Sequence, residues 1–259
     1  MNICLFKPEE IQMPLSIKDE RGEHIVKVLH KKVGDSFSAG IIEGSAGFAV
    51  ITKIENNQIF FDFVPDPSLD EKKLFPLKMI IGFPRPIQLK RLLRDIAALG
   101  VCEVHLTGTE LGEKSYMQST LVEKGNAYKM LLDGTVQAGS THVPALFLHQ
   151  TLKECLDFIN ENSKNYHHSL RLCLDNVNPK CSVSMAMKDF PCLVCKNPCD
   201  ENKAIVGAIG SERGWTEQER KLLEEYGYIR CSMGSRIMRT ETAATVAGSI
   251  ILNTMGYLN

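Results

Sequence analysis

At 259 residues, 44% apolar and 24% charged, the chain has the material for one large domain or for a small domain joined to a larger one. Its formal net charge of −1 excludes a global basic field of the kind that advertises nucleic-acid binding. The longest apolar runs, such as residues 204–209, fall far short of the roughly 20 residues that span a bilayer. The opening MNICLFKPEE meets acidic residues at once, so a cytoplasmic protein with no membrane partner is expected.

The first segment, to about residue 64, reads as β-structure. Short apolar runs at 36–38, 46–54 and 58–64 are separated by Gly and Asn turn residues. Residues 41–47 and 55–58 have the composition of hairpin connections. Residues 23–30, with Ile25, Val26, Val28 and Leu29, predict one short helix. A small β-barrel is expected over residues 1–68, closed by the linker Pro65-Asp66-Pro67-Ser68.

From Leu74 the texture changes, and a second domain is expected over residues 74–259. Residues 77–83 form a continuous apolar run, which reads as a buried strand. Residues 87–99 have helical spacing at Leu89, Leu92, Leu93 and Ile96 and stop at Gly100. Strands are predicted at 101–107, 145–149, 170–174, 204–209 and 228–233. Helices are predicted at 121–139 and 152–160 and after each of the last two strands. This alternation predicts an α/β domain with a mainly parallel sheet. Between residues 72 and 94 lie Lys72, Lys73, Lys78, Arg85, Lys90, Arg91 and Arg94, with Glu71 and Asp95 at the edges. Such a patch grips phosphates without a basic total; a solvated helix face is the plain alternative.

Two glycine-bearing turns carry the chemistry. The first, Gly210-Ser211-Glu212-Arg213-Gly214-Trp215, follows an apolar strand and leads into the capping box Thr216-Glu217-Gln218-Glu219. Ligands of open α/β sheets sit at the carboxyl ends of strands, where such loops lie; a tight turn with no ligand is the alternative. Trp215 reads as packing beneath its loop. The second turn runs through Met233-Gly234-Ser235-Arg236-Ile237-Met238-Arg239-Thr240-Glu241-Thr242, with Thr240 as the expected N-cap of the next helix. Arg236 and Arg239 near a partly positive helix start are unfavourable unless they serve an anion or pair with Glu241 or Glu212. In that helix Ala243, Ala244, Ala247 and Gly248 allow close approach, either to the core or to a second subunit.

Most of the nine cysteines read as small buried apolar residues. Cys192-x2-Cys195-x3-Cys199, with Cys181, has ligand-like spacing for a metal or an iron–sulfur cluster, although packing is the preferred reading. His24, His105, His142 and His149 have no partner spacing that marks a metal site, and His167-His168 reads as exposed loop.

The pairing of IGSERGWTEQE with SMGSRIMRTETAA resembles the bacterial small-subunit rRNA uracil-N3 methyltransferases (RsmE-like) of the SPOUT class, whose usual forms are close to IGPEGGFSxxE and LGxRILRTETA. EHIVKVLHKKVGD is similar to that family's HxxVLRxxxGD, and VQAGSTHVP to its EQSxRxxVP, so the resemblance covers nearly the whole chain. It implies a PUA-like β-barrel followed by an α/β domain with a deep trefoil knot, and a homodimer that lays 16S rRNA of the small ribosomal subunit across both copies. It implies S-adenosyl-L-methionine as methyl donor. Its cofactor cleft would be built from Leu174, Ile209, Gly210, Ser211, Glu212, Gly214, Ser232, Met233, Gly234, Arg236, Ile237 and Met238. The chemistry of such a transfer, in which uracil N3 loses its proton, gives expected catalytic roles to Arg239, against negative charge on the uracil, to Thr240, against the base, and to Glu241, holding Arg239. His30, Lys31, Arg85, Lys90, Arg91 and Arg94 would face RNA.

The chain departs from the family pattern at Ser211 and Arg213 in the first loop. His30 stands for Arg, Asp95 and Ala98 stand in the family's KATELGV, and Ser140 stands for Arg. The substrate side is therefore more altered than the cofactor side. A methyltransferase acting on another RNA and a silent RNA-binding protein are the competing readings.

Overall fold

The structure, a computed structural model, describes residues 2–69, 72–119, 122, 125–162, 170–188 and 204–258. The chain divides into two compact units: Met1–Lys73 with Leu132–Val143, and Leu74–Leu131 with Pro144–Asn259.

The first unit begins with β1 (Cys4–Phe6), β2 (Leu15–Ser16), α1 (Glu20–Glu23) and a π-helical turn, His24–Val28. Then follow β3 (Ser36–Ile41), β4 (Ala46–Glu55), β5 (Gln58–Pro65) and a 3-10 turn, Pro67–Leu69. The five strands make one sheet in the order β1-β3-β4-β5-β2, with only β1 and β3 parallel. Alternation along β3 and β4 turns Phe37, Ala39, Ala49 and Ile51 inward onto Phe6, Ile25 and Ile59. The β4–β5 hairpin closes through Asn56 and Asn57, both with positive φ (49° and 61°), the two-residue geometry that suits the right-handed strand twist. The single helix expected at 23–30 is instead a short α-turn followed by the π turn, and β1 and β2 are too short to leave a period in the sequence.

Leu132–Val143 packs on this sheet. Leu132 and Val136 lie against Ile3, Leu5 and Ala46. Glu43 accepts from the Val143 amide at 2.7 Å, Thr141 Oγ1 donates to the Gly44 carbonyl at 2.7 Å, and Ser140 Oγ donates to the Lys72 carbonyl at 2.7 Å.

The second unit contains β6 (Phe75–Gly82), α2 (Pro86–Ala98), β7 (Val101–Thr107), α3 (Lys114–Met117) and the start of α4 (Asn126–Ala138). It continues with β8 (Ala145–His149), α5 (Leu152–Asn162), β9 (Leu170–Leu174), β10 (Cys181–Ser182) and α6 (Val183–Ala186). It ends with β11 (Ile205–Ile209), α7 (Glu217–Glu225), β12 (Ile229–Ser232) and α8 (Thr240–Thr254). The sheet is parallel throughout, in the order β10-β12-β9-β11-β6-β7-β8, so the expected α/β class and parallel sheet are found. Every residue of β11 is buried, as a central strand covered on both faces requires.

α2 starts with Pro86 at its first turn, buries Leu89, Leu92, Leu93 and Ile96, and ends before Gly100 at φ 78°. α8 packs on α2 and β6; a Cβ on Gly248 would stand 3.2 Å from Leu99 Cδ1, so its small residues seat it against a neighbouring helix of the same chain. α8 thus buries one face, through Ala244, Ala247, Gly248, Ile251 and Leu252, against the core of its own chain. Lys78 departs from the expected basic patch: it is buried in β6, opposite Glu103 in register, and pairs with it at 2.8 Å. No helix among the described residues is long and apolar enough to cross a membrane.

Candidate functional site

β9, β11 and β12 lie side by side and parallel, so their carboxyl ends open onto one place. The loops after these strands enclose a cavity of about 300 Å³. Gly210 follows β11, and its loop folds back so that Ser211 bridges Gly214, whose amide donates to the Ser211 carbonyl at 2.8 Å. Gly214 has φ 74°, in the left-handed region that glycine adopts without strain. Beneath the loop Trp215 is buried in the core, as its sequence position suggested.

The loop is anchored by α7. Thr216 and Glu219 form the predicted capping box: the Thr216 hydroxyl accepts from the Glu219 amide at 3.1 Å, and the Glu219 carboxylate accepts from the Thr216 amide at 2.9 Å. Glu219 also accepts from the Glu110 amide at 2.9 Å, so a buried carboxylate ties two loops together.

The second wall follows β12. Gly234 has φ 117°, and the chain reaches α8 through Met238 and Arg239. Arg239 is the N-cap and makes no side-chain cap bond, whereas Thr240, the expected cap, is the first helical residue. Thr240 is buried, with its hydroxyl 3.5 Å from the Gly210 carbonyl, which joins the two loops. At the back of the cavity Arg220 Nε donates to Asp175 at 2.6 Å, with side chains only 11% and 7% exposed. Burial pulls the Arg220 guanidinium down, but the Asp175 carboxylate outweighs it and holds its pKa above the ordinary value.

Of the residues expected at the cofactor, Leu174, Ile209, Gly210, Ser211, Glu212, Gly214, Met233, Ile237 and Met238 line the cavity, and Thr240 joins them. Ser232, Gly234, Arg236, Arg239 and Glu241 do not line it. The expected pairing of the arginines is not made: among the described residues neither Arg236 nor Arg239 has an ion-pair partner. Glu212 instead meets Arg85 at 3.3 Å. Asp175, Asn176, Val177, Arg213, Trp215, Arg220 and Ala243 also line the cavity. Asp175 was legible as the residue after Leu174 at a strand end, but Arg220 carries no signal until α7 is placed.

On α2, Lys90, Arg91 and Arg94 are exposed, with Arg91 meeting Asp95 at 3.5 Å. In the first unit His30 (φ 54°) is exposed beside half-buried Lys31, next to exposed Val28, Leu29 and Val33. Cys192, Cys195, Cys199 and the His167-His168 pair lie outside the described residues. Cys181 is half-buried in β10; Cys4, Cys155, Cys173 and Cys231 are buried, and burial pushes the Cys231 thiol up to about 12.

Residues 70–252 match the family described as RNA methyltransferase domain, and residues 17–64 match RNA methyltransferase PUA domain. The ribosomal RNA small subunit methyltransferase E of Treponema pallidum is 38% identical, covering 97% of this chain and 91% of that protein. Ribosomal RNA small subunit methyltransferase E 1 of Borreliella burgdorferi is 30% identical and covers 97% of both chains. The crystal structure of a ribosomal RNA small subunit methyltransferase E from Neisseria gonorrhoeae bound to S-adenosyl methionine shares the fold at TM-score 0.75 and 20% identity, covering 98% of this chain and 97% of that one. A probable rRNA-methyltransferase from Porphyromonas gingivalis shares it at TM-score 0.77 and 17% identity, covering all of both chains.

Proposed function

We infer the reaction from one premise: this chain belongs to the RNA methyltransferase family, as a relative of the ribosomal RNA small subunit methyltransferases E. It is an rRNA methyltransferase dependent on S-adenosyl-L-methionine, acting on 16S rRNA of the small ribosomal subunit, with uridine N3 as the acceptor. The observation that carries this reading to the site is the meeting of two glycine-bearing loops at the carboxyl ends of β9, β11 and β12 around one cavity.

The residues present fit the cofactor. Leu174, Ile209, Met233, Ile237 and Met238 give apolar walls for a flat purine, and the backbone of 210–214 borders the same space. The bound cofactor supplies an electrophilic methyl carbon on a sulfonium. The chain must hold the uracil so that N3, once its proton has left, lies in line with that carbon. Arg239, exposed and unpaired at the start of α8, is assigned to the negative charge that develops on the ring, with Thr240 at the base; Glu241, in the first turn of α8, is assigned to the same step only if it swings onto the arginine when RNA binds, since the two are not paired in this structure. Ser211 and Glu212, which line the cavity, are assigned to the cofactor's polar parts; Ser232, Gly234 and Arg236 do not line it and are assigned only to shaping the second loop. His30, Lys31, Arg85, Lys90, Arg91 and Arg94 are assigned to RNA phosphates.

Three further parts belong to this reading. The contact of Thr240 with Gly210, and β12 lying across β9 from β11, support a trefoil knot in the second unit. The match of residues 17–64 supports an RNA-binding role for the PUA-like first unit, with residues 74–259 as the methyltransferase domain. A homodimer, as the family resemblance implies, belongs to the same proposal. Cytoplasmic residence follows from the substrate. Isothermal titration of the full chain with S-adenosyl-L-methionine tests the core of the reading: saturable binding at one site per chain is expected, and no heat of binding contradicts it.

A further inference from the structure

The parallel pairing of β7 with β8 sets Phe147 opposite His105 and His149 opposite Thr107, which puts both histidines on one face of the sheet. α5 lays Cys155 and Phe158 over that face. Sequence spacing gave these histidines no partner; strand register supplies one. His105 Nδ1 and His149 Nε2 are 3.1 Å apart, and with Cys155 Sγ the three donor atoms all lie within 4.8 Å of one another. All three residues are buried.

The arrangement around them is that of a ligand set. His105 Nε2 is 3.0 Å from Glu103 Oε2, and Glu103 is held by buried Lys78 at 2.8 Å. A carboxylate only accepts, so Nε2 carries the ring proton and Nδ1 presents its lone pair to His149 Nε2. This histidine–carboxylate pairing is the usual support behind a metal-bound imidazole. Cys155 Sγ makes no hydrogen bond among the described residues. Phe147 and Phe158 pack on the rings and close the site to water.

We propose that His105, His149 and Cys155 form a buried three-donor site for a soft d-block cation, with monovalent copper as its ion. Two imidazoles and a thiolate in a trigonal set are donors that suit copper. Uptake replaces the Cys155 thiol proton, while the His149 proton moves from Nε2 to Nδ1. One proton leaves for each Cu(I) that enters, so the buried charge does not change. Zn(II) would add a net positive charge and would need a fourth ligand in a space lined by aromatic rings. The site stands apart from the cavity at β9, β11 and β12 and does not depend on the reaction assigned there.

The test uses the full chain under anaerobic conditions, with Cu(I) offered from a chromophoric chelator. The wild type is expected to withdraw one equivalent that is lost in both Cys155→Ser and His149→Gln, each weakening uptake by at least about 100-fold. A Cys192→Ser/Cys195→Ser/Cys199→Ser variant is expected to keep it. X-ray absorption at the copper edge should report two nitrogen donors and one sulfur, and Cu(I) should raise the thermal midpoint of the wild type but of neither single variant. Circular dichroism checks that the variants fold, and His149→Gln carries the test if Cys155→Ser does not. Absence of uptake, uptake unchanged in the foldable variant, or an all-sulfur shell would overturn the site. Zn(II) displacing Cu(I) at these residues would overturn the choice of ion.

Discussion

Gly210 has no room for a side chain. A Cβ there would stand 2.7 Å from the Gly214 carbonyl carbon, so the loop would have to open by several tenths of an ångström. Gly210→Ala is therefore expected to weaken S-adenosyl-L-methionine binding by about tenfold or more, roughly 1.4 kcal/mol, in a protein that still folds. Titration calorimetry reads this, and unchanged affinity would remove the loop from the cofactor site. Arg239 makes the complementary prediction. It caps a helix whose dipole disfavours it by about 0.3–1 kcal/mol, and no carboxylate among the described residues offsets this. Arg239→Ala should lower the methyl-transfer rate by about 10²–10³-fold while cofactor affinity stays within about twofold. A rate like that of the wild type would sink the assignment. The glycines and the misplaced arginines were both legible in sequence, because each breaks a local rule. Asp175–Arg220 was not, because it joins a strand end to the second turn of a helix that only tertiary packing brings near.

At the scale of elements, α7 fastens the loop at residues 210–215. Glu219→Ala removes the acceptor for the Thr216 and Glu110 amides and should lower stability by about 1–3 kcal/mol, read as a lower thermal midpoint. Glu219→Gln, which keeps one carbonyl acceptor, should recover part of the loss; equal loss in both would argue that charge rather than the bond matters. In the first unit, α1 is held by Arg21, which bonds Asp19, Glu10 and the Leu5 carbonyl, each at 2.9 Å. Hydrogen bonds from Arg21 hold both carboxyls below their ordinary values. Lowered carboxylate values stabilise the fold at neutral pH, and that contribution fades as pH falls through the folded values. Arg21→Gln should thus lower stability by about 1–2 kcal/mol near neutrality, allowing for solvent screening, with the two proteins converging toward about pH 3. Urea midpoints across that range check it; a constant gap would contradict it. The strands at 101–107, 145–149 and 170–174 were readable to the residue because each is a short, mainly apolar run set off by neighbouring helical or polar segments. The π turn and the three- and two-residue strands were not, because they are shorter than any period.

For the molecule as a whole, the alternation of strands and helices disclosed the α/β class, but the strand order could not be read from it. Placing β12 between β9 and β10 is a property of packing, and that order brings the two loops together. The composition break at Pro65–Ser68 was visible, whereas the return of Leu132–Val143 to the first unit was not, since Leu132 and Val136 look like any helical core residues until Ile3 and Leu5 meet them. The central claim is methyl transfer to a uridine of the small ribosomal subunit. Its most direct test is incubation of the protein with methyl-labelled S-adenosyl-L-methionine and small subunits from a strain lacking its own uracil-N3 enzyme, followed by mass spectrometry of the nucleosides. The account predicts labelled 3-methyluridine in 16S rRNA. Cofactor binding with no labelled 3-methyluridine would contradict it and point to another RNA.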